Sequence, residues 1–314
     1  MNNILSLFTE EFFYATIRMA SPVILAATGE VFLQRSGIIN LGMESMVIYG
    51  AFFGVLGSAL TGSGWMGLAA AMLAGTITGL LYGFIVITLK ANQSVTGTAF
   101  NIVGIGLTSF LARVIWGIRE LPVQVDTIKP WSVPILNKIP FIGHILFDHS
   151  PLVYLAYILV GVATFVIFKT TWGLKVRAVG ENPRAAASIG INVYAWRYFC
   201  AILAGCLASM GGAVLSLVDL NMFVDGMSGG RGYFALATVI LGRWHPVGAA
   251  IGGLVFGAGN ALQMRMQAFG VKIPSDLLLI LPFVLAFLAV VIFHGKSSAK
   301  PAALAKPYEK EATI

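Results

Sequence analysis

The sequence predicts an all-α polytopic integral membrane protein with about nine transmembrane helices (eight to ten), and three observations lead to this fold class. Of the 314 residues, 58% are hydrophobic and 11% are charged, whereas a soluble domain carries about 25% charged residues. Apolar runs of about 20 residues, the length that spans a bilayer, recur along the chain. A cluster of Gly, Ser and Asn interrupts an apolar run in each half, which predicts a broken or short helix in each.

Residues 1–295 are predicted to form a single transmembrane domain. Two segments rich in Lys and Arg, 169–197 and the tail 296–314, should both lie in the cytoplasm by the positive-inside rule. An even number of crossings must separate them, so the short run 233–241 counts as a crossing or as part of a re-entrant pair. The predicted crossings are 12–33, 39–60, 65–89, 95–116, 151–168, 198–218, 233–241, 247–264 and 277–293.

Orientation follows from counting these crossings. Working backwards from the cytoplasmic segment 169–197 places the N-terminus and the longer polar loop 117–150 outside. The tail 296–314 contains four lysines together with Ala and Pro. A segment of this composition cannot bury enough apolar surface to order itself, so we expect it to be disordered.

Small residues inside the apolar runs are expected to serve packing. Gly75, Gly79 and Gly83 repeat every four residues, and such stripes favour close approach of helices over the lining of a solute path. Cys200 and Cys206 lie six residues apart, which is neither a metal-site spacing nor a disulfide framework. We expect both cysteines to be packing residues.

The cytoplasmic segment 169–197 contains a predicted short helix. Asn182 is a good N-cap and Pro183 fits the first helical position; residues 184–189 then make about two turns, which Gly190 can close. So short a helix does not hold alone in water, and it must therefore dock on something. The residues leave two interpretations open: an ordinary loop whose charges set orientation, or a coupling helix that receives motion from a soluble motor subunit.

Charged side chains inside the apolar runs are candidates for a solute path. Ionisable groups in the membrane cost several kcal/mol unless they are paired or hydrated. Glu30 and Glu44 lie in the first two runs, where they could contact a solute. Alternatively, they could form buried ion pairs with Arg18 and Arg35 that fix the helix register.

Amide side chains give further candidates. Asn101 is favoured because the glycines beside it leave room for a ligand. Irregular backbone in transporters is tolerated where it lines a cavity, and the two interruptions here are residues 35–42 and 227–232. The substrate-path candidates are Glu30, Asn40, Glu44, Asn101, Asn260 and Gln263.

Catalytic chemistry within the chain is not indicated. The Gly-Lys-Ser at 295–297 lacks the earlier glycine of a phosphate-binding loop, because position 290 is Val. The four histidines are scattered and lack the spacing of a metal site. Basic residues are spread through the loops without an aromatic platform, which argues against nucleic-acid binding. We therefore expect no enzyme activity, and no metal or cofactor bound by this chain.

The stretch RAVGENPRAAASIGIN, residues 177–192, closely resembles the coupling loop of permeases of bacterial ABC importers. These permeases form the superfamily for branched-chain amino acids, ribose and nucleosides. Residues 29–54, 96–113 and 230–257 resemble further landmarks of its nucleoside and simple-sugar branch, in the expected order. One departure is that the branch commonly has Glu-Arg-Ser-Gly where this chain has Gln34-Arg35-Ser36-Gly37, and Glu-Gly where it has Glu44-Ser45.

The resemblance implies a permease subunit in a bacterial cytoplasmic membrane, surrounded by lipid, that moves nucleosides or simple sugars. It also implies an ABC ATPase subunit that binds ATP and Mg, a second permease subunit that is a different chain, and an external solute-binding lipoprotein. An ion-coupled secondary transporter or channel is the alternative, with Glu30 and Glu44 as its relay. The residues implied to face the ATPase are Glu181, Asn182, Arg184, Ala185 and Gly190.

Overall fold

The computed structural model describes residues 9–117, 124–132, 139, 142–269 and 300–309, with positions 277, 280, 282–285 and 288. Seven helices in these ranges are long and apolar enough to cross a membrane. With helices numbered in chain order, they are α1 (Glu10–Arg35), α2 (Met43–Thr61), α3 (Gly64–Thr88), α4 (Gln93–Trp116), α6 (Pro151–Lys169), α9 (Val193–Asp219) and α11 (Pro246–Ala268). The last turns of α3 and α9 widen into π-helix.

Shorter elements join these spans. These shorter elements are α5 (Ile142–Phe147), α7 (Thr171–Glu181), α8 (Pro183–Ser188), α10 (Arg231–Leu241), β1 (Trp131–Ser132) and β2 (Asp148–His149). Seven of the nine predicted crossings are therefore confirmed as long helices. The predicted run 233–241 is α10, whose 11 residues reach only about 16 Å at 1.5 Å per residue. The run 277–293 lies largely outside the described residues, so the count of nine stays a prediction.

Helix α9 lies at the centre of the bundle, packed against α1, α2 and α3. Glycines permit this contact: a Cβ built on Gly75 would lie 2.3 Å from the Gly205 carbonyl oxygen, and one on Gly79 would lie 2.5 Å from that of Ala201. A Cβ on Gly212 would lie 1.9 Å from the Val47 carbonyl oxygen. The predicted packing role of the glycine stripe is confirmed.

Burial differs greatly between spans. In the most apolar window of α1, 83% of residues are buried, against 17% in α4. Side chains such as Ile102, Phe110 and Val114 are 62–70% exposed on the outer face of α4. Cys200 is buried and Cys206 is half-buried in α9, and both are free thiols, as expected of packing residues.

The predicted polar loop 117–150 contains structure that the sequence did not indicate. Strand β1 pairs with β2 in antiparallel register, with Trp131 opposite His149. The Tyr14 ring of α1 stacks on the His144 and His149 rings at centroid distances of 4.6 and 4.5 Å. Burial lowers the pKa of His149.

The tail differs from its expected disorder over residues 300–309, here called the docked tail. Ala303, Leu304 and Tyr308 in it are 7–8% exposed. They fill gaps between the ends of the helices, so their small apolar area is buried against an existing surface. A disordered composition does not prevent docking where the rest of the molecule supplies the core.

Candidate functional site

The two interruptions predicted from the sequence meet inside the bundle. Residues 36–42, the first break, separate α1 from α2; residues 220–230, the second break, precede α10. Glu44 in the first turn of α2 joins them, since its Oε1 accepts from the Gly230 N–H at 2.8 Å and its Oε2 from the Gly232 N–H at 2.7 Å. These donors are backbone groups that the start of a helix leaves without partners, and a carboxylate forms the stronger, charge-assisted type of hydrogen bond.

Asn101 holds the other side of this junction. Its Oδ1 accepts from the Ser45 N–H at 3.0 Å, and its Nδ2 donates to the Leu41 carbonyl oxygen at 2.7 Å and to the Tyr233 hydroxyl at 2.8 Å. Asn101 lies eight residues into α4, about 12 Å along it. The junction therefore contacts α4 well away from the start of that helix. We call Glu44, Asn101 and Tyr233, with the helix starts they join, the Glu44 junction.

Tyr233 was not identified from the sequence, although it is the accessible member of the junction. Its side chain is 50% exposed, whereas Glu44 and Asn101 are 3% and 4% exposed. The Oδ1 and Nδ2 atoms of Asn101 form their hydrogen bonds with other groups of the protein. The signal available in the sequence was an aromatic hydroxyl directly after Gly230-Arg231-Gly232, where the second break passes into α10.

Two other predicted residues, Glu30 of α1 and Asn40 in the first break, lie together. Glu30 is fully buried, and its Oε1 accepts from the Gln34 Nε2 at 2.8 Å and the Asn40 N–H at 3.1 Å. Gln34 in turn accepts from the Trp244 Nε1 at 2.6 Å. A glutamine can donate and accept in this chain of bonds, which gives a physical role to the residue that departs from the family pattern.

The predicted ion pairs of Glu30 and Glu44 with Arg18 and Arg35 are wrong. Arg18 instead lies 3.4 Å from Asp219 at the end of α9. Arg35 donates to the Trp244 carbonyl oxygen at 2.9 Å. Backbone N–H groups, which carry no charge to recognise in a sequence, take the place of the arginines at Glu44.

Asn260 and Gln263 are both half-buried on α11. The Asn260 Nδ2 donates to the Phe256 carbonyl oxygen one turn earlier, at 3.1 Å. Among the described residues, no hydrogen bond links either side chain to the Glu44 junction. Within the same described ranges, no three His, Cys, Asp or Glu side chains come together in a way that could hold a metal ion.

The short helix predicted after Asn182 is present as α8, and its cytoplasmic placement and coupling role stay predictions. The Asn182 Oδ1 accepts from the Ala185 N–H at 3.1 Å, and Pro183 is the first helical residue. Gly190 follows the helix with a φ of +86°. Arg184 and Ala185 are exposed. Ile189, which directly follows the helix, is 74% exposed. The helix therefore presents a mixed apolar and cationic face to the outside of the molecule.

Docking holds α8 in place, as its length requires. Ala186 is 2% exposed and lies in an apolar cluster with Val179, Val193 and Tyr308. Glu181 before α8 accepts from the Ala302 N–H of the docked tail at 3.2 Å. Of the predicted coupling residues, Arg184 and Ala185 thus face outward, while Glu181 and Asn182 hold the loop together.

Residues 12–291 match the family model for the permease component of branched-chain amino acid transport systems. The chain belongs to this permease family. The permease is 36% identical over 307 residues to the guanosine ABC transporter permease protein NupQ of Bacillus subtilis, covering 94% of this chain and 95% of that protein. It is 35% identical over 292 residues to the nucleoside ABC transporter permease protein NupC of Lactococcus lactis, with 90% and 92% covered.

Two further relatives bear on substrate and assembly. The permease is 32% identical over 266 residues to the putative glucose ABC transporter permease protein TsgC13 of Haloferax volcanii, with 83% and 79% covered. It is also 26% identical over 307 residues to a second guanosine permease protein of Bacillus subtilis, NupP, with 91% and 84% covered. Two different permease proteins named for guanosine transport are thus related to this one chain.

Proposed function

We propose that this permease is a membrane subunit of an ABC importer that moves nucleosides across the bacterial cytoplasmic membrane. The observation that carries the proposal is its similarity, over nearly the whole chain, to permeases named for guanosine and nucleoside transport. Simple sugars are the second candidate substrate, which the similarity to a putative glucose permease favours. The chain supplies no ATPase site of its own; ATP and Mg bind to a partner subunit.

The solute path runs past the Glu44 junction. Paired helix breaks at depth mark solute sites in transporters, and here the two breaks meet at one carboxylate. The half-exposed ring of Tyr233 can stack against a flat nucleobase while its hydroxyl bonds to polar edges. Glu44 and Asn101 act as positioning residues that hold this ring and the start of α10.

Helix α8 is the docking point for the ATPase. Its exposed Arg184 and Ile189 suit a groove that combines an apolar floor with acidic rims. ATP-driven closure of the ATPases would push α8 and reorient the bundle between outward and inward access. Since α7 ends against the end of α1, where Gly180 leaves no room for a Cβ beside the Arg35 carbonyl oxygen, the push reaches the first break directly.

A second, different permease chain completes the pore. The relationship of this chain to both NupP and NupQ supports a pair of related but non-identical subunits. The apolar outer face of α4 (Ile102, Phe110, Val114) is exposed and is available to that partner or to lipid. An external solute-binding lipoprotein would deliver the nucleoside to the pair.

The test is purification of the tagged permease from its native membrane in mild detergent, followed by reconstitution into proteoliposomes. We expect an ABC ATPase and a second polytopic chain to co-purify, and ATP-dependent uptake of labelled nucleosides to exceed that of sugars. Arg184→Ala should reduce uptake without preventing membrane insertion, whereas Lys129→Ala, at an exposed basic position in the loop 117–150, is the matched control. Recovery of the permease alone, with uptake driven by a proton or sodium gradient, would establish the ion-coupled transporter instead.

A further inference from the structure

The docked tail, residues 300–309, hydrogen-bonds to two elements that meet at Gly180 and Gly37, where a Cβ on Gly37 would lie 3.6 Å from the Gly180 Cα. The Ala303 N–H donates to the Gly180 carbonyl oxygen at 2.9 Å, and the Ala305 N–H donates to the Gly37 carbonyl oxygen at 3.0 Å. Gly180 lies at the end of α7, directly before α8, and Gly37 lies in the first break. A single turn of the tail therefore contacts both the ATPase-facing loop and the start of the path to the Glu44 junction.

Side chains reinforce the bridge. Tyr308 shares a buried apolar cluster with Ala186 of α8, and its ring lies 5.3 Å from that of Tyr194. The Arg197 guanidinium lies over Tyr308, 6.0 Å from the ring centre, and its Nε donates to the Ser36 carbonyl oxygen at 3.3 Å. Arg197 thus touches the docked tail with one part of its side chain and the first break with another.

Backbone hydrogen bonds close the docked tail into turns. The Leu304 N–H donates to the Pro301 carbonyl oxygen and the Lys306 N–H to that of Ala303, each at 3.1 Å. Between them, Ala305 has a φ of +63°. A residue with a side chain adopts this left-handed conformation only where its surroundings fix it, and here the bond from Ala305 to Gly37 does so.

We propose that the docked tail is a strut that makes α8 and the first break move as one body, and that it is therefore a positioning element in energy coupling. This inference rests on the proposed function. Without the strut, α8 stays attached through α7 and α9, but its displacement is absorbed at the contact between Gly180 and Gly37. ATP hydrolysis then continues with less solute moved per ATP.

The experiment compares three forms of the permease in the complete transporter: the full chain, a chain ending at Ala299, and a matched control ending at Glu309. Uptake and ATP hydrolysis are measured on the same proteoliposomes. We expect the chain ending at Ala299 to co-purify with the ATPase and hydrolyse ATP, but to move about tenfold less solute per ATP, within the usual range of coupling between two sites. The control should match the full chain.

A point substitution guards against a truncation that fails to assemble. Tyr308→Ala removes the ring from the α8 cluster and keeps the backbone bridge, so it should lower the transport ratio by a smaller factor. Pro307→Ala, at an exposed position beside it, should have no effect. Unchanged transport per ATP in the Ala299 truncation and in Tyr308→Ala, or an increase in either, would overturn the strut.

A distance measurement tests the strut without relying on transport. Spin labels at Ser94 and Ser188, both exposed, report the separation of α8 from the start of α4. Cys200 and Cys206 are replaced by Ala in this background. Truncation at Ala299 should broaden the distance distribution, and an unchanged distribution would count against the strut. If the full chain itself shows no ATP-dependent uptake, the proposed function fails. If the full chain shows this uptake and the chain ending at Ala299 matches it in uptake, ATP hydrolysis and distance distribution, the strut alone fails.

Discussion

The two helix breaks that meet at Glu44 are held in opposite ways. In the first break, Ser36, Ile38 and Asn40 are at most 1% exposed. Hydrogen bonds from this break reach side chains of α1, α4 and α9. In the second break, Leu220 is 47% and Val224 41% exposed. Its turns close mainly on their own backbone, as in the bonds between residues 224 and 227 and between residues 226 and 229.

This difference indicates how a discontinuous helix can serve either as an anchor or as a moving part. The first break cannot shift without breaking bonds to several other helices. The second break keeps its local turns wherever it goes. If it swings away, it loses the two bonds to Glu44, the bond from the Val125 N–H to the Asn221 carbonyl oxygen and the Arg113–Asp225 ion pair. Segments with few external contacts are the ones that open most readily. We expect the second break, with Tyr233 behind it, to move during transport while the first stays fixed.

Removing the carboxylate that joins the breaks should have the largest effect. In Glu44→Ala, the Gly230 and Gly232 N–H groups lose their acceptors. Each hydrogen bond to a charged group contributes about 1.5–3 kcal/mol, so we expect a loss of about 3 kcal/mol or more. Thermal unfolding in detergent measures it. Glu44→Gln keeps one acceptor oxygen, so its melting temperature should lie between those of the wild type and Glu44→Ala. An unaltered melting temperature in Glu44→Ala would show that these two bonds do not stabilise the contact between the breaks.

Alanine at one glycine of each break compares the two directly. Gly37 and Gly230 have φ values of +94° and +82°, so both substitutions should cost about 1–2 kcal/mol in backbone strain. A Cβ at Gly37 would also meet the Arg197 Nη2 at 3.0 Å, whereas at Gly230 the nearest atom is 3.8 Å away. Gly37→Ala should therefore cost about 1–3 kcal/mol more. Equal melting temperatures for the two variants would contradict the tighter packing of the first break.

Substitutions of Asn101 and Tyr233 distinguish two roles: stabilising the Glu44 junction and contacting the solute. Asn101→Ala removes the side-chain donor of the Leu41 carbonyl oxygen and leaves the Ser45 N–H with the Gly42 carbonyl oxygen alone, which should destabilise the protein by about 1–2 kcal/mol. Tyr233→Phe removes one hydroxyl and should cost under about 1 kcal/mol. If the ring contacts solute, Tyr233→Ala should raise the KM for nucleoside uptake while Tyr233→Phe changes it little. A KM unchanged in Tyr233→Ala would exclude the ring from the path.

The smallest expected effect concerns the exposed pair that ends the docked tail beside the first break. Glu309 accepts a hydrogen bond from the Lys90 Nζ at 2.9 Å. This bond lowers the pKa of Glu309 from its ordinary 4.5 and raises that of Lys90 from 10.5. The attraction is thus present above the ordinary carboxyl value, is lost as pH falls through the lowered Glu309 pKa, and is lost again as pH rises through that of Lys90.

Docking of the tail should therefore be insensitive to pH between about 6 and 9 and only weakly sensitive to salt. Arg184 and Tyr194 are the other ionisable groups that act on this pair. Chymotrypsin cleavage after Tyr308, which is 7% exposed in the docked tail, measures docking, with Lys90→Gln as the control that should abolish the salt effect. A pH-dependent cleavage rate within this window would show that another group governs docking.

Local patterns in the sequence predicted the parts of the fold that depend on neighbours in the chain. Seven crossings, the helix from Pro183 and its N-cap Asn182 follow from apolar length and capping chemistry. The partner of Glu44 could not be predicted in this way, because it lies 186 residues away and consists of backbone N–H groups, which every residue except proline carries. The predicted partner, an arginine, was the choice that charge alone suggests.

The docked tail shows a second limit. Its composition describes its own capacity to fold, and that capacity is low. Its placement depends on acceptors at Gly37 and Gly180, and the lack of a side chain at Gly37 lets the tail approach, since a Cβ there would lie 3.3 Å from the Ala303 carbonyl oxygen. Such a match between two distant segments becomes visible only when the ends of α1 and α7 are brought together in space.

The central position of α9 has a consequence for how the protein is made. Its packing partners α1, α2 and α3 are complete at Thr88, but α9 begins only at Val193, and at 5–20 residues per second the interval is about 5–20 seconds. During that time α1, α2 and α3 have been synthesised, but the central helix α9 that packs between them has not. Any early association of the first three helices must stay loose enough to admit α9 later, with their glycine surfaces facing lipid until it arrives.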